Sequence, residues 1–269
     1  MIDNKYNYNS LLRFRTALQS PIEYYFPNWI LKNDEILSKL LKYAKIHIVK
    51  PKIDIAPWDL DKVLIMLKNP PSQVAKELDF IIKKSLFLTI LANPLRISEF
   101  QAITISKCNF NTNHIILRPH QKFISKNQTN NFVPSDIIIP AFSECKKLCP
   151  VFNLNLYLKI KENICKEKGI SRPDQLWIGS DGRILSKQKI RSMFRSIILA
   201  ADPCANFSSC SFHSIRGIVA SALDYRNIQI NEILKRMNWN STSTFQKYYA
   251  KMKLSNKISA VLAGRDTSI

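Results

Sequence analysis

The sequence predicts a mostly α-helical fold with a small antiparallel β-sheet. Apolar residues recur at helical spacing through most of the chain. One stretch, HIILRPHQKFISKNQTNNFVPSDIIIP (114 to 140), breaks that rhythm and sets two β-prone apolar ends around a polar, Asn-rich middle, the pattern of a long hairpin. Size agrees: 269 residues that are 46% hydrophobic suffice for one large domain or two smaller ones with a buried core.

Residues 1 to 50 are polar and aromatic with patches of helical spacing, notably ILSKLLKYAKI at 36 to 46. They run into VKPKIDIAPWDL (49 to 60), whose two prolines and mixed charge look like a linker. The expected division is a helical N-terminal region over 1–55 and a second domain over 56–269. Pro70-Pro71-Ser72 opens a helix with Val74, Leu78, Ile81, Ile82 and Phe87 on one face; Asn93-Pro94 interrupts it, and another helix starts at once. After the hairpin, Leu154, Leu158 and Cys165 predict a helix ending at Gly169, and LWIGSDGRILS reads as a short strand and turn. Ser186 then caps a helix with Ile190, Met193, Phe194 and Ile197 inward and Lys187, Lys189, Arg191 and Arg195 on its other face. In HSIRGIVASALDYR the buried stripe is Ile215, Val219, Ala222 and Leu223; in NIQINEILKRMNW it is Ile230, Ile233, Leu234 and Met237.

Charge narrows the function. Lys and Arg total 40 against 20 for Asp and Glu, a net +20 that favours a polyanionic partner, with nucleic acid first and anionic membrane second. Residues 181 to 253 alone hold twelve basic and four acidic side chains. The N-terminus has no apolar run to act as a signal peptide, and SLFLTILANPL (85 to 95) is too short to span a bilayer, so an intracellular, soluble protein is expected. Six cysteines, at 108, 145, 149, 165, 204 and 210, form no CxxC pair and are expected to be buried free thiols. Five glycines never make a phosphate-cradling motif, and the acidic residues offer no set of three to hold metal ions, so neither cofactor nor metal is expected.

Three short pieces could carry chemistry. In His213-Ser214-Ile215-Arg216 the imidazole and guanidinium stand at i and i+3, able to touch one anion. Such a motif also arises freely by chance. Pro94-Leu95-Arg96-Ile97-Ser98-Glu99 puts an arginine at a helix start, which can equally be a solvated first-turn charge. Trp239 precedes STSTFQKYYAK, and there the bland alternative is a core tryptophan with two surface tyrosines, Tyr248 and Tyr249.

Together and in this order, over residues 56 to 253, the pieces resemble the tyrosine recombinase (integrase) family: RISE for the first arginine motif, a lysine in the hairpin, HxxR, a Trp or His, then tyrosine. PWDLDKVLIML, LCPVFNLNLYL and WNSTSTFQKYY are most similar to the recombinases of DIRS-like and Ngaro-like retrotransposons and of crypton transposons. The chain departs from the pattern in reading ANPLR where many members have a glycine before the arginine, and in offering more than one hairpin lysine. The resemblance implies a recombinase catalytic domain behind a partial helical core-binding domain, and DNA strand cleavage and rejoining through a covalent 3′-phosphotyrosine. Type IB topoisomerase-like action, or a catalytically silent domesticated DNA-binding protein, are the alternatives. It implies a clamp of Arg96 and Arg216 on the scissile phosphate, with His213 and Trp239 as hydrogen-bonding or proton-handling partners and Glu99 as support. Lys126, rather than Lys122, becomes the general acid, and Tyr249, with Tyr248 as the alternative, the nucleophile. Lys187, Lys189, Arg191 and Arg195 become DNA contacts. Double-stranded DNA, a synaptic tetramer, no membrane and a nuclear location in a eukaryote complete the expectation.

Overall fold

The computed structural model describes residues 8–47, 58–75, 77–124, 136–207, 210–237, 239 and 242. The chain forms two units, Met1–Asp54 and Ile55–Ile269.

The first unit holds α1 (Tyr8–Tyr25) and α2 (Glu35–His47), with a 3-10 turn at Leu31–Asn33 between them. Asp34 starts α2: its carboxylate accepts from the Leu37 N–H at 2.7 Å and from the Trp29 indole N–H at 2.9 Å. Leu31, Leu41 and Ala44 are buried, while Ile36, Leu40 and Tyr43 on α2 remain exposed.

The second unit begins with Trp58 and α3 (Leu60–Lys68), whose N-cap Asp59 accepts from the N–H groups of Asp61 and Lys62. The helix expected after Pro70-Pro71 is two helices, α4 (Ser72–Ala75) and α5 (Leu78–Ala92), because Glu77 adopts an extended backbone at φ −67°, ψ 128°. The apolar pattern runs through that break and conceals it. α5 is the central helix, buried on most sides from Phe80 to Ile90. Its two inward polar groups are satisfied locally: Ser85 Oγ donates to Asn153 O at 2.8 Å and Thr89 Oγ1 to Ser85 O at 2.7 Å. Asn93 ends it in an extended conformation, and α6 (Ile97–Gln101) follows.

The sheet has the strand order β1 (Asn109–Phe110), β2 (His114–Leu117), β3 (Ile137–Pro140), all antiparallel. β2 and β3 are the apolar ends of the expected hairpin, registered Ile115 to Ile139 and Leu117 to Ile137, with these residues facing the core. β1, two residues long, has no distinct sequence signal. α7 (Pro150–Glu167) is followed, two residues on, by Gly169 at φ +61°, a left-handed conformation suited to glycine. In LWIGSDGRILS a bridge between Ile178 and Ile184 encloses a turn with Gly182 at φ +80°.

α8 (Lys187–Ala201) is capped by Ser186, which accepts from the Lys189 N–H at 3.1 Å, and it buries Ile190, Met193, Phe194 and Ile197 as its periodicity predicts. α9 (Ser214–Tyr225) and α10 (Ile230–Met237) follow, burying Ile215 and Val219, and Ile233 and Met237. Aromatic stacking knits the core: Phe87 on Phe194 at 5.0 Å, Phe100 on Trp177 at 4.9 Å and Tyr157 on Trp177 at 5.0 Å. The six cysteines form no disulfide with one another; Cys149, Cys165 and Cys210 are buried, Cys108 and Cys145 are only half-buried, and Cys204 is exposed because it lies in the connection between α8 and α9.

Candidate active site

The break at Asn93-Pro94 and the start of α9 meet around one cavity of about 320 Å³. Arg96 and Ser98 line it from the start of α6, Arg191 and Arg195 from α8, and His213 and Arg216 from the start of α9, with Arg96 and His213 each immediately before its helix. No carboxylate is among its described lining residues. Four guanidiniums around so small a space create a strongly positive, partly desolvated field suited to an oxyanion.

Arg96 is held from below. The Glu99 carboxylate, in a residue only 3% exposed, accepts from the Arg96 backbone N–H at 2.9 Å and from its Nη1 at 3.0 Å. One side chain thus closes the first turn of α6 and aims the guanidinium of the preceding residue. Glu99 thus supports Arg96 through an ion pair, as a buttressing role requires.

Arg216 is 2% exposed, an extreme burial for arginine. Its Nη1 donates to Pro94 O at 2.7 Å and its Nη2 to Met237 O. The first carbonyl lies two residues before Arg96 and the second ends α10, so one planar fork fastens both segments to α9. The Trp239 ring lies 5.4 Å from the Arg216 guanidinium carbon, with the tryptophan 8% exposed. Upstream, the Trp58 indole donates to Ser214 Oγ at 2.9 Å, and that hydroxyl donates to Ser211 O at 2.7 Å, fixing the first turn of α9 beside His213.

His213 opens on solvent at the rim. The protein packed behind its ring, and then the charges of Arg216 and Arg96, hold its pKa below the ordinary imidazole value. A neutral imidazole at pH 7 can accept a proton as well as donate a hydrogen bond.

The cavity therefore gathers Arg96, His213 and Arg216, with Glu99 and Trp239 attached through the two arginines. Lys122 is exposed beyond β2 and does not line it. Lys126, Tyr248 and Tyr249 lie outside the described residues. The basic residues of α8 do not share a face. Lys187, Arg191 and Arg195 follow one another at i, i+4 and i+8, whereas Lys189 stands about 200° of helical turn from Lys187. In the sequence Arg191 and Arg195 read only as DNA contacts; their i, i+4 spacing beside a buried stripe is visible there, but the approach of α8 to α6 is not.

Residues 69–254 match the Phage integrase family. The chain belongs to this family. It is a tyrosine recombinase, and the family's activity is site-specific recombination by DNA cleavage and rejoining. No curated protein sequence matches it significantly. Among solved structures, XerA recombinase is 14% identical with a TM-score of 0.51, covering 97% of this chain and 84% of that one. XerH site-specific recombinase bound to difH substrate is 11% identical with a TM-score of 0.53, covering 97% and 71%. The Tn1549 transposon integrase in complex with transposon right end DNA is 15% identical with a TM-score of 0.58, covering 96% and 79%. At these identities the likeness is one of fold, and it matches the helical architecture with its small antiparallel sheet. Among the described residues no helix is long and apolar enough to cross a membrane.

Proposed function

We propose that this protein is the recombinase of a mobile element of the DIRS, Ngaro or crypton kind, and that it cuts DNA through a covalent 3′-phosphotyrosine. The observation that carries the proposal is the shared cavity of Arg96, His213 and Arg216, segments more than a hundred residues apart. Attack on a phosphodiester builds charge on the non-bridging oxygens, which two preorganised guanidiniums stabilise. In the proposed step the Tyr249 phenol gives its proton to His213 or to solvent, its oxygen bonds to phosphorus, and the bond from phosphorus to the 5′ oxygen breaks. Lys126 protonates the leaving oxygen, and His213 assists at the phosphate or the phenol. A second strand's 5′ hydroxyl reverses the step, so no cofactor is consumed. Residues 1–55 serve as part of a DNA clamp, residues 56–269 as the catalytic domain, and four protomers assemble on two duplexes in the compartment that holds the genome.

The test is incubation with nicked duplexes carrying candidate sites, followed by denaturing electrophoresis. Wild type and Tyr248→Phe are expected to trap a covalent adduct, Tyr249→Phe to bind DNA without one, and peptide mapping to find the phosphate on Tyr249. Adduct mapped to Tyr248 overturns the assignment of the nucleophile. Adduct at neither tyrosine, on any DNA tried, overturns the catalytic reading.

A further inference from the structure

The cavity holds two more guanidiniums than the clamp of Arg96 and Arg216 uses. Arg191 and Arg195 stand one helical turn apart on α8 and line the same space. Arg195 is the more constrained of the pair. It is half-buried, its Nε donates to Cys210 O at 3.2 Å, and its guanidinium carbon lies 3.9 Å from the centre of the Phe207 ring. A long cationic side chain gains little from being fixed at a protein surface unless the fixed geometry is used, because immobilising it costs rotamer freedom. Phe207 itself is 61% exposed, so its ring contributes little to the core and its contact with Arg195 is the feature that stands out.

We propose that Arg191 and Arg195 form a second anion subsite in the reaction cavity, and that it receives the phosphodiester immediately next to the one held by Arg96 and Arg216. Phe207 is a positioning residue: its ring face and the Cys210 carbonyl set the plane of the Arg195 fork. The chemistry recognised is a backbone phosphate oxygen, with no demand on base identity. Gripping a neighbouring phosphate fixes the sugar between them, and with it the line along which the 5′ oxygen must depart, so the subsite acts on the rate of cleavage as well as on binding. The inference rests on the strand-cleavage reading above.

The experiment measures single-turnover adduct formation at saturating protein, and affinity separately, for wild type, Arg195→Ala, Arg191→Ala, Phe207→Leu and Phe207→Tyr. Each is tested on duplexes with one phosphate at a time replaced by a neutral methylphosphonate. Arg195→Ala is expected to slow cleavage at least tenfold while weakening affinity less than threefold. A methylphosphonate at the phosphate adjoining the cut should slow wild type to the level of Arg195→Ala and slow that variant no further. Phe207→Leu should reproduce a several-fold part of the defect, and Phe207→Tyr should restore the rate. Loss of rate and affinity in equal measure makes Arg195 an ordinary duplex contact and overturns the proposal, as does a matching methylphosphonate two or more phosphates from the cut. Equal rates for Phe207→Leu and wild type overturn the positioning role. If wild type forms no adduct on any duplex, the strand-cleavage reading fails first and takes the subsite with it.

Discussion

Arg96 and Glu99 form one pair of side chains that serves the fold and, on the proposed mechanism, the chemistry as well. The carboxylate is 3% exposed and holds both the backbone N–H and the guanidinium of Arg96. Arg96→Ala removes a charge-assisted bond to a buried acceptor, which costs about 1–3 kcal/mol of stability. On the proposed mechanism it also removes a phosphate ligand, with an expected loss of about 100-fold or more in cleavage. The two losses are separable. In Arg96→Ala/Glu99→Gln the buried group is neutral, so thermal unfolding should recover part of the way to wild type while cleavage stays as low as in the single variant. Unfolding temperatures that fall further in the double variant would show that the carboxylate is sustained by other contacts. The arginine was visible in the sequence as part of RISE, and so was Glu99 as a supporting group. The grip of Arg216 on Pro94 O was not, because nothing in a linear sequence signals a hydrogen bond between residues 122 positions apart.

Helix starts and stops were largely legible. Ser186 before α8 and Gly169 after α7 carry the side-chain or backbone chemistry that ends require, whereas α3 and its Asp59 cap follow a stretch that reads as a linker. The division of α4 from α5 was not legible, since apolar residues recur through it without a glycine or proline to mark the break. α7 adds a feature that periodicity also conceals. Lys161 sits on it fully buried, with its ammonium donating to the carbonyls of Pro173, Gln175 and Leu176. Burial, and then the charge of Arg172, lower its pKa from 10.5 to about 8. Between those two values the unfolded chain binds more of the proton than the folded one, so the lysine's contribution makes stability rise as pH rises from 8 toward 10.5. Urea midpoints of wild type and Lys161→Met across that range check it: the difference between them should shift in favour of wild type with increasing pH. A constant difference would show that the three carbonyls preserve the ammonium's ordinary proton affinity.

The whole molecule carries +20, and its second unit concentrates basic residues along α8 and around the cavity. Each DNA phosphate neutralised releases condensed counterions, giving about −0.9 in the slope of log affinity against log salt. Removing Lys187, Arg191 and Arg195 together should flatten that slope more than Lys189→Ala does, because Lys189 points to the other flank of the helix. Titrations at several salt concentrations decide this, and equal slopes would mean that α8 does not lie against the duplex. The clasp of Arg216 has a further consequence, for a chain emerging from the ribosome. Its two carbonyl partners belong to Pro94 and Met237, 122 residues before it and 21 after. An incomplete chain that has not yet reached Met237 can make only half of this clasp. The setting of Arg216 is thus finished only after α10 has been made, so it depends on an element that follows α9 as well as on the segment before α6.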